Sequence, residues 1–336
     1  MKKILYIGNN LDAKNPTTIV LLSTLLQEIG FEVNIYSNKK NKLLRLLAMC
    51  LGVFKYRKAS FLLIDTYSTS NFYYALVVSQ LARLFNLKYL PILHGGNLPI
   101  RLKNSLYLSE LIFKNAELSV APSNYLLQHF KSNGFKTVFI PNGIELKNYP
   151  FKLRKTISPK LLWVRAFDEI YNPQMAIKVV ALLKETYPNA SLCMVGPDKD
   201  GSLTNAKMLA KELGVQNSIE FTGLLDKKKW IKKSEEFDVF INTTNIDNTP
   251  VSVIEAMALG LPVISTNVGG ISYLIDAKID GILVEKNNET EMANAIINLI
   301  ENPIKAVNIA NNARQKVANF DSVVVKEEWR KLLENA

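Results

Sequence analysis

Cysteine and histidine are scarce in this chain. Cys50 and Cys193 are its two cysteines, and His94 and His129 its two histidines, among 336 residues. The cysteines lie far apart and form no framework, so a reducing compartment and no structural disulfide are expected. Four scattered sulfur and imidazole ligands also argue against a zinc site. No apolar run approaches the ~18 residues of a membrane-spanning helix. The apolar stretch in Met1–Gly8 is too short for a secretory leader, and Asn9-Asn10 stops it. It reads as a buried first strand, and the expected location is cytoplasmic, including the cytoplasmic membrane face. Acidic residues are scarce in the first half alone. Residues 1–157 hold 21 Lys and Arg against 7 Asp and Glu, a net +14, whereas residues 158–336 hold 20 against 23, a net −3. A basic half suits anionic lipid headgroups or an anionic substrate. Nucleic acid is the other usual partner of a basic protein. No recognition motif or basic–aromatic interleaving points to it, so no nucleic-acid binding is expected.

What is present is apolar and regularly punctuated. Hydrophobic residues make up 48% of the chain, enough for sizeable cores, and the length suggests about two domains. Strand and helix patterns alternate, which predicts parallel sheets covered by helices on both faces. Strands are expected near Ile4–Gly8, Glu32–Tyr36, Phe61–Asp65, Lys88–Leu93, Leu118–Ala121 and Val138–Ile140. A second series is expected near Lys160–Val164, Ser191–Val195, Ile219–Thr222, Val239–Asn242, Val263–Ser265 and Ile282–Val284. Thr17–Ile29, Phe72–Phe85 and Asn124–Ser132 read as helices. The Pro- and cation-rich stretch Tyr149–Pro159 places a boundary at 157/158.

The densest chemistry lies in Asp247-Asn248-Thr249-Pro250-Val251-Ser252-Val253-Ile254-Glu255 and its continuation through Gly260-Leu261-Pro262. Two carboxylates stand eight positions apart across a helix start. Thr249 is suited to the N-cap and Pro250 to the first helical position. Gly260 and Pro262 end the helix before the strand at Val263. A helix N-terminus binds phosphates through free amides and its dipole, and neighbouring carboxylates accept sugar hydroxyls.

This stretch, with Gly269-Gly270 after it, resembles the donor-binding signature of the retaining glycosyltransferases of family 4. That signature has Glu, seven residues, then Glu; here Asp247 takes the first place and Glu255 the second. The resemblance implies the GT-B fold, two Rossmann-like doubly wound α/β domains facing a central cleft. The domains would be 1–157 and 158–321, with helix 322–336 crossing back to the first. It implies donor contacts from Arg165, Gly196, Pro197, Gly223, Asp247, Asn248, Thr249, Pro250, Val251 and Glu255. His94, Asp247 and Arg165 would be catalytic, and Asn9, Asn10, Gly95, Gly96 and Asn97 would lie on the acceptor side. Family members carry a lysine five residues after the arginine that here is Arg165. This chain has Ile170 there, followed by Tyr171-Asn172-Pro173. Another cation replaces it, or Tyr171 and Asn172 bond the phosphate, or activity is reduced.

Three patterns admit rival readings. His94-Gly95-Gly96 matches the oxyanion-hole segment of ester hydrolases, but the chain has no Gly-x-Ser-x-Gly nucleophile elbow. Asp198-Lys199-Asp200 matches a metal-binding pattern of another glycosyltransferase fold. The resemblance implies metal-independent chemistry, so no metal and no cofactor are expected. Asn41–Lys58 is apolar and ringed by Lys42, Arg45, Lys55, Arg57 and Lys58, which suits a membrane-interface helix or a buried connecting helix. The expected function is transfer of a sugar from a nucleoside diphosphate sugar, UDP- or GDP-linked, to a hydroxyl acceptor. A lipid-linked cell-surface polysaccharide intermediate is the expected acceptor, with peripheral membrane contact through the basic domain. The alternatives are a non-catalytic GT-B subunit that binds a partner or a sugar nucleotide, and a GT-B sugar-nucleotide epimerase.

Overall fold

The structure, a computed structural model, describes residues 2–10 and 17–335. Met1 and Ala336, the outer ends of the first-strand and last-helix readings, lie outside the described residues. The chain divides into two compact units, residues 1–143 with 322–336, and residues 144–321.

The first unit runs β1 (Lys3–Ile7), α1 (Thr18–Glu28), β2 (Glu32–Tyr36), α2 (Lys42–Lys55), β3 (Phe61–Thr66), α3 (Asn71–Leu84), β4 (Tyr89–Leu93), α4 (Leu98–Asn104), α5 (Leu106–Phe113), β5 (Ser119–Ala121), α6 (Asn124–Ser132) and β6 (Thr137–Phe139). Its sheet is parallel, in the order β2-β1-β3-β4-β5-β6. The strands are apolar on both sides because both faces are covered. Ile4, Tyr6, Phe61, Leu63, Leu90 and Ile92 point to one layer, where Ile19 and Leu26 of α1 meet Val325 and Trp329 of the final helix (Ser322–Asn335). Leu5, Ile7, Leu62, Ile64 and Tyr89 point the other way, onto α2, α3, α5 and α6.

The second unit runs β7 (Lys160–Val164), α7 (Pro173–Thr186), β8 (Ser191–Val195), α8 (Ser202–Glu212), β9 (Ile219–Gly223), α9 (Lys227–Lys233), β10 (Val239–Asn242), α10 (Val251–Ala258), β11 (Val263–Thr266), α11 (Ile271–Leu274), β12 (Ile282–Val284), α12 (Glu289–Glu301) and α13 (Pro303–Val317); the final helix, α14, returns the chain to the first unit. The sheet order is β12-β11-β10-β7-β8-β9, all parallel. Strand order reverses between β7 and β10, so the loops after these two strands diverge there. Such a switch point is where ligands of doubly wound sheets bind, at the carboxyl ends of the strands.

Two sequence expectations are corrected. The boundary falls at 143/144 rather than 157/158. The Arg154 guanidinium is buried and donates to the carbonyls of Phe237 at 2.6 Å, Ser234 at 2.9 Å and Gly260 at 3.2 Å, which ties this segment into the second unit. Arg45 does not join the outward cations of α2. It is buried, donating to the carbonyls of Lys39 at 2.7 Å and Lys40 at 2.9 Å and to Asn9 Oδ1 at 3.1 Å. Cys50 and Cys193 are free thiols. No helix among the described residues is long and apolar enough to cross a membrane.

Candidate functional site

Arg165 leaves the end of β7 at the switch point. Its backbone amide bonds the Val195 carbonyl of β8 at 3.0 Å, so the side chain projects from a fixed base. One Nη pairs with an Asp247 carboxylate oxygen and Nε reaches Asn242 Oδ1 at 3.4 Å. The guanidinium lies over the Tyr171 ring, 4.6 Å from its centre. A guanidinium has five N–H donors, and these contacts use two. Tyr171 itself is anchored through its carbonyl, which accepts from Thr243 Oγ1 at 2.8 Å, and Thr243 Oγ1 accepts from Trp163 Nε1 at 3.0 Å.

Asp247 is held by its own loop. Its other carboxylate oxygen accepts from the Asn248 amide at 2.8 Å. The Gly270 amide donates to the Asp247 carbonyl at 2.9 Å. A Cβ on Gly269 would lie 2.2 Å from the Asp247 carbonyl oxygen, and one on Gly270 would lie 1.8 Å from the Asn248 carbonyl oxygen. Only glycine at both positions lets residues 247–248 lie against 269–270. The Gly-Gly pair thus positions the acidic loop.

The start of α10 differs from expectation by one residue. Pro250, at φ −69° and ψ 116°, is the N-cap, and no side chain caps the helix. Pro250 suits N-cap and N1 alike in φ; its extended ψ puts it outside the helix and leaves Thr249 without the capping role. The Pro250 carbonyl accepts from the Val253 and Ile254 amides. The Val251 and Ser252 amides precede the first helical bonds, so a helix N-terminus is open to an anion here. Ser252 Oγ is buried with no hydrogen-bond partner. One turn further on, the buried Glu255 carboxylate accepts at Oε1 from the Tyr149 hydroxyl at 2.6 Å and from Lys227 Nζ at 2.6 Å. Burial first, and the Glu255 charge second, push the Tyr149 hydroxyl pKa up, so it stays a protonated donor.

The loops after β8 and β9 meet through backbone. The Gly196 amide donates to the Gly223 carbonyl at 2.9 Å, and the Pro197 carbonyl accepts from the Phe167 amide at 2.8 Å. A Cβ on Gly196 would fall 1.7 Å from the Arg165 carbonyl oxygen. Gly196 therefore lets β8 run close beside Arg165. The carboxylates of Asp198 and Asp200 are taken up by local capping. Asp198 accepts from the Gly201 amide at 3.0 Å, and Asp200 from the Ser202 hydroxyl at 2.5 Å and the Glu169 amide at 2.8 Å.

Ile170 occupies the sequence position of the missing lysine. Ile170 is partly exposed and its carbonyl accepts from the Asn245 amide at 2.7 Å. Asn172 is also committed: its Oδ1 caps α7 through the Met175 amide at 3.3 Å, and its Nδ2 donates to Asn287 at 2.9 Å. The cation that sequence reasoning missed is Lys227, brought onto Glu255 from the start of α9.

The first unit has its own polar cluster. His94 follows β4 and is buried; its Nε2 lies 2.8 Å from Asp65 Oδ1 at the end of β3. Tyr6 Oη donates to the same oxygen at 2.8 Å, and the Tyr67 ring stacks on the imidazole with centres 4.6 Å apart. A carboxylate only accepts, so Nε2 carries the hydrogen and Nδ1 is the remaining polar atom of the ring. Burial and then Asp65 raise the pKa of both Tyr6 and Tyr67. Gly8 makes room for this carboxylate, since a Cβ there would lie 2.3 Å from Asp65 Oδ2. Asn9 joins Asn71 at 3.2 Å and Arg45, and the Asn10 amide bonds the Ser37 carbonyl at 3.0 Å. The Gly95 and Gly96 carbonyls accept from the Leu98 amide and the Tyr125 hydroxyl, each at 3.4 Å, and Asn97 opens α4 without a side-chain cap. Asp65, Tyr6 and Tyr67 went unnoticed in the sequence, although a carboxylate directly after the apolar run Phe61–Ile64 is a visible signal.

Two doubly wound α/β units, one with an ion pair, an open helix N-terminus and a buried carboxylate near its strand ends, place the protein among the two-domain doubly wound α/β proteins. Residues 147–316, half of the chain, match the family described as glycosyl transferases group 1. The chain belongs to that family. A Haemophilus influenzae protein described as an uncharacterized glycosyltransferase is 28% identical over 221 residues, covering 66% of this chain and 61% of that protein. The chain spans about half the length of other curated relatives it matches. Among solved structures, sucrose-phosphate synthase from Thermosynechococcus elongatus matches with a TM-score of 0.81 at 17% identity, over 100% of this chain and 99% of that one. HepE from Anabaena, in complex with UDP, matches with a TM-score of 0.77 at 18% identity, over 100% of both chains. The shared fold is GT-B.

Proposed function

We propose that this protein is a retaining glycosyltransferase that moves a sugar from a nucleoside diphosphate sugar, UDP- or GDP-linked, to a hydroxyl acceptor. The observation that carries this reading is the Arg165–Asp247 pair at the switch point, four residues before the open first turn of α10. The diphosphate would bind the Val251 and Ser252 amides and the Arg165 N–H groups left free by Asp247 and Asn242. Those donors act where negative charge grows as the leaving group departs. Asp247 would face the transferred sugar and stabilise positive charge at its anomeric carbon. Glu255, steadied by Tyr149 and Lys227, would hold the ribose hydroxyls. Gly196, Pro197 and Gly223 would flank the base through backbone. No residue here reads as an enzymic nucleophile, which favours same-face attack assisted by the leaving phosphate. Arg165 and the helix terminus supply the charge neutralisation, so no metal is required.

On the acceptor side we assign His94, with Asn9, Asn10, Gly95, Gly96 and Asn97. The bound UDP of HepE supports the donor class. A lipid-linked glycan is the acceptor class that best fits the basic first unit. A thermal-shift screen across UDP- and GDP-sugars tests the donor claim, because a ligand that binds only the folded state raises its melting temperature. A rise with at least one donor is expected. No rise with any donor favours a non-catalytic role.

A further inference from the structure

Helix α2 carries its polarity inverted. A helix on a water-facing surface turns its charges outward and its leucines inward. In α2 the only charged residue between Lys42 and Lys55 is Arg45, and it points inward. Leu43, Leu44, Leu47, Leu51 and Phe54 point outward, each 56–74% exposed. Leu43, Leu47, Leu51 and Phe54 follow the i, i+4, i+8, i+11 spacing of one helical stripe. The inner stripe, Met49 and Val53, already fills the core. The outer stripe is therefore surplus to folding.

Charge frames this stripe at both ends. Lys39, Lys40 and Lys42 precede it, Lys55, Arg57 and Lys58 follow it, and all six are exposed. No Asp or Glu occurs from residue 33 to residue 64. The Arg57 guanidinium lies over the exposed Phe54 ring, 5.0 Å from its centre. The first unit holds 20 basic and 9 acidic residues and the second 21 of each, so the whole net charge of +11 belongs to the unit that bears α2. A protein partner for so apolar a stripe does not require six flanking cations, whereas an anionic bilayer does.

We infer that the outer face of α2 lies in the interface of a bilayer containing anionic lipid. Leu43, Leu47, Leu51 and Phe54 would enter the acyl boundary, and the six flanking cations would sit on headgroups. At 14 residues the helix is about 21 Å long. It lies in the membrane plane and does not span.

The test is flotation of the full chain with vesicles of phosphatidylcholine alone or with about one third phosphatidylglycerol, the latter giving the surface charge that basic segments require. Wild-type protein is expected to float with the anionic vesicles and release in high salt. The variant Leu47→Glu with Leu51→Glu should bind at least about tenfold more weakly, since two apolar anchors are replaced by charges. A Leu51→Trp variant reads insertion directly, through a blue-shifted emission quenched by brominated lipid. Unchanged flotation of the double variant, no flotation of wild type, equal binding to neutral vesicles, or no emission shift in the Leu51→Trp variant would each overturn the inference. So would a wild-type dimer that the double variant dissociates, because the stripe would then cover a second copy. Binding is read here and not turnover, so failure of the donor assignment leaves this test intact.

Discussion

Tyr149 donates its phenolic hydrogen to Glu255 Oε1 at 2.6 Å across 106 positions of sequence. Both groups are buried. Tyr149 thus holds the Glu255 carboxylate and ties the segment after residue 143 to α10.

Tyr149→Phe removes that donor and keeps the ring. A hydrogen bond to a charged group contributes about 1.5–3 kcal/mol, and a loss in that range is expected in urea unfolding. Donor KM should rise several-fold with kcat nearly unchanged, because the variant loosens a binding group. An unaltered KM would mean that Glu255 holds its place without Tyr149.

Asp247→Asn keeps the size of the side chain and removes the charge that Arg165 faces. Removing one preorganised group that stabilises developing charge costs roughly 10²–10³-fold in kcat. That loss is expected with donor affinity changed far less. A variant that loses affinity and keeps kcat would make Asp247 a binding residue only.

Gly270→Ala puts a Cβ 1.8 Å from the Asn248 carbonyl oxygen, so the loop bearing Asp247 must shift. Overpacking of this kind costs about 1–3 kcal/mol, and donor affinity should fall at least about tenfold, equivalent to 1.4 kcal/mol. Gly214→Ala is the control. Gly214 has φ +69° with nothing within 4 Å of an added Cβ, so only the left-handed strain of about 1–2 kcal/mol applies. Titration calorimetry should show donor binding weakened by at least about tenfold in the first variant and kept in the second.

Burial, aided by the Glu220 charge, pushes the Cys193 thiol from the ordinary 9.0 up to about 12. The unfolded chain releases this proton near pH 9 and the folded chain near pH 12. Its contribution is fully present below pH 9 and is lost as pH rises toward 12, by about 1.4 kcal/mol per unit. Cys193→Ala should be less stable at pH 8 yet show a shallower fall between pH 9 and 11 in urea unfolding. Parallel curves would contradict the shift.

The strands were legible because buried parallel strands are short apolar runs between Gly, Pro and Asn. The loop-and-helix shape of the 247–260 stretch was legible because Asp247, Pro250, Glu255 and Gly260 sit at fixed offsets along it. The N-cap was misread by one residue, since proline suits two adjacent positions and only ψ separates them. The orientation of Arg45 was not legible either. A helix apolar on both faces gives periodicity nothing to choose by, and what turns Arg45 inward is a set of backbone carbonyls in the preceding loop. The clusters around Asp65 and Glu255 were missed for a related reason: Tyr6 and Asp65 come from two strands and His94 from the loop after a third, and Tyr149, Lys227 and Glu255 from three separate segments.

The central claim is that Arg165 and Asp247, beside the open N-terminus of α10, work on a nucleoside diphosphate sugar. Release of nucleoside diphosphate from a panel of UDP- and GDP-sugars, by wild type and by Arg165→Ala, tests it most directly. Release from at least one donor, reduced about 10²-fold or more in Arg165→Ala as expected for a group that stabilises the leaving charge, is the predicted result. Equal release by the two proteins, or none from any donor with the wild-type fold intact, would contradict it.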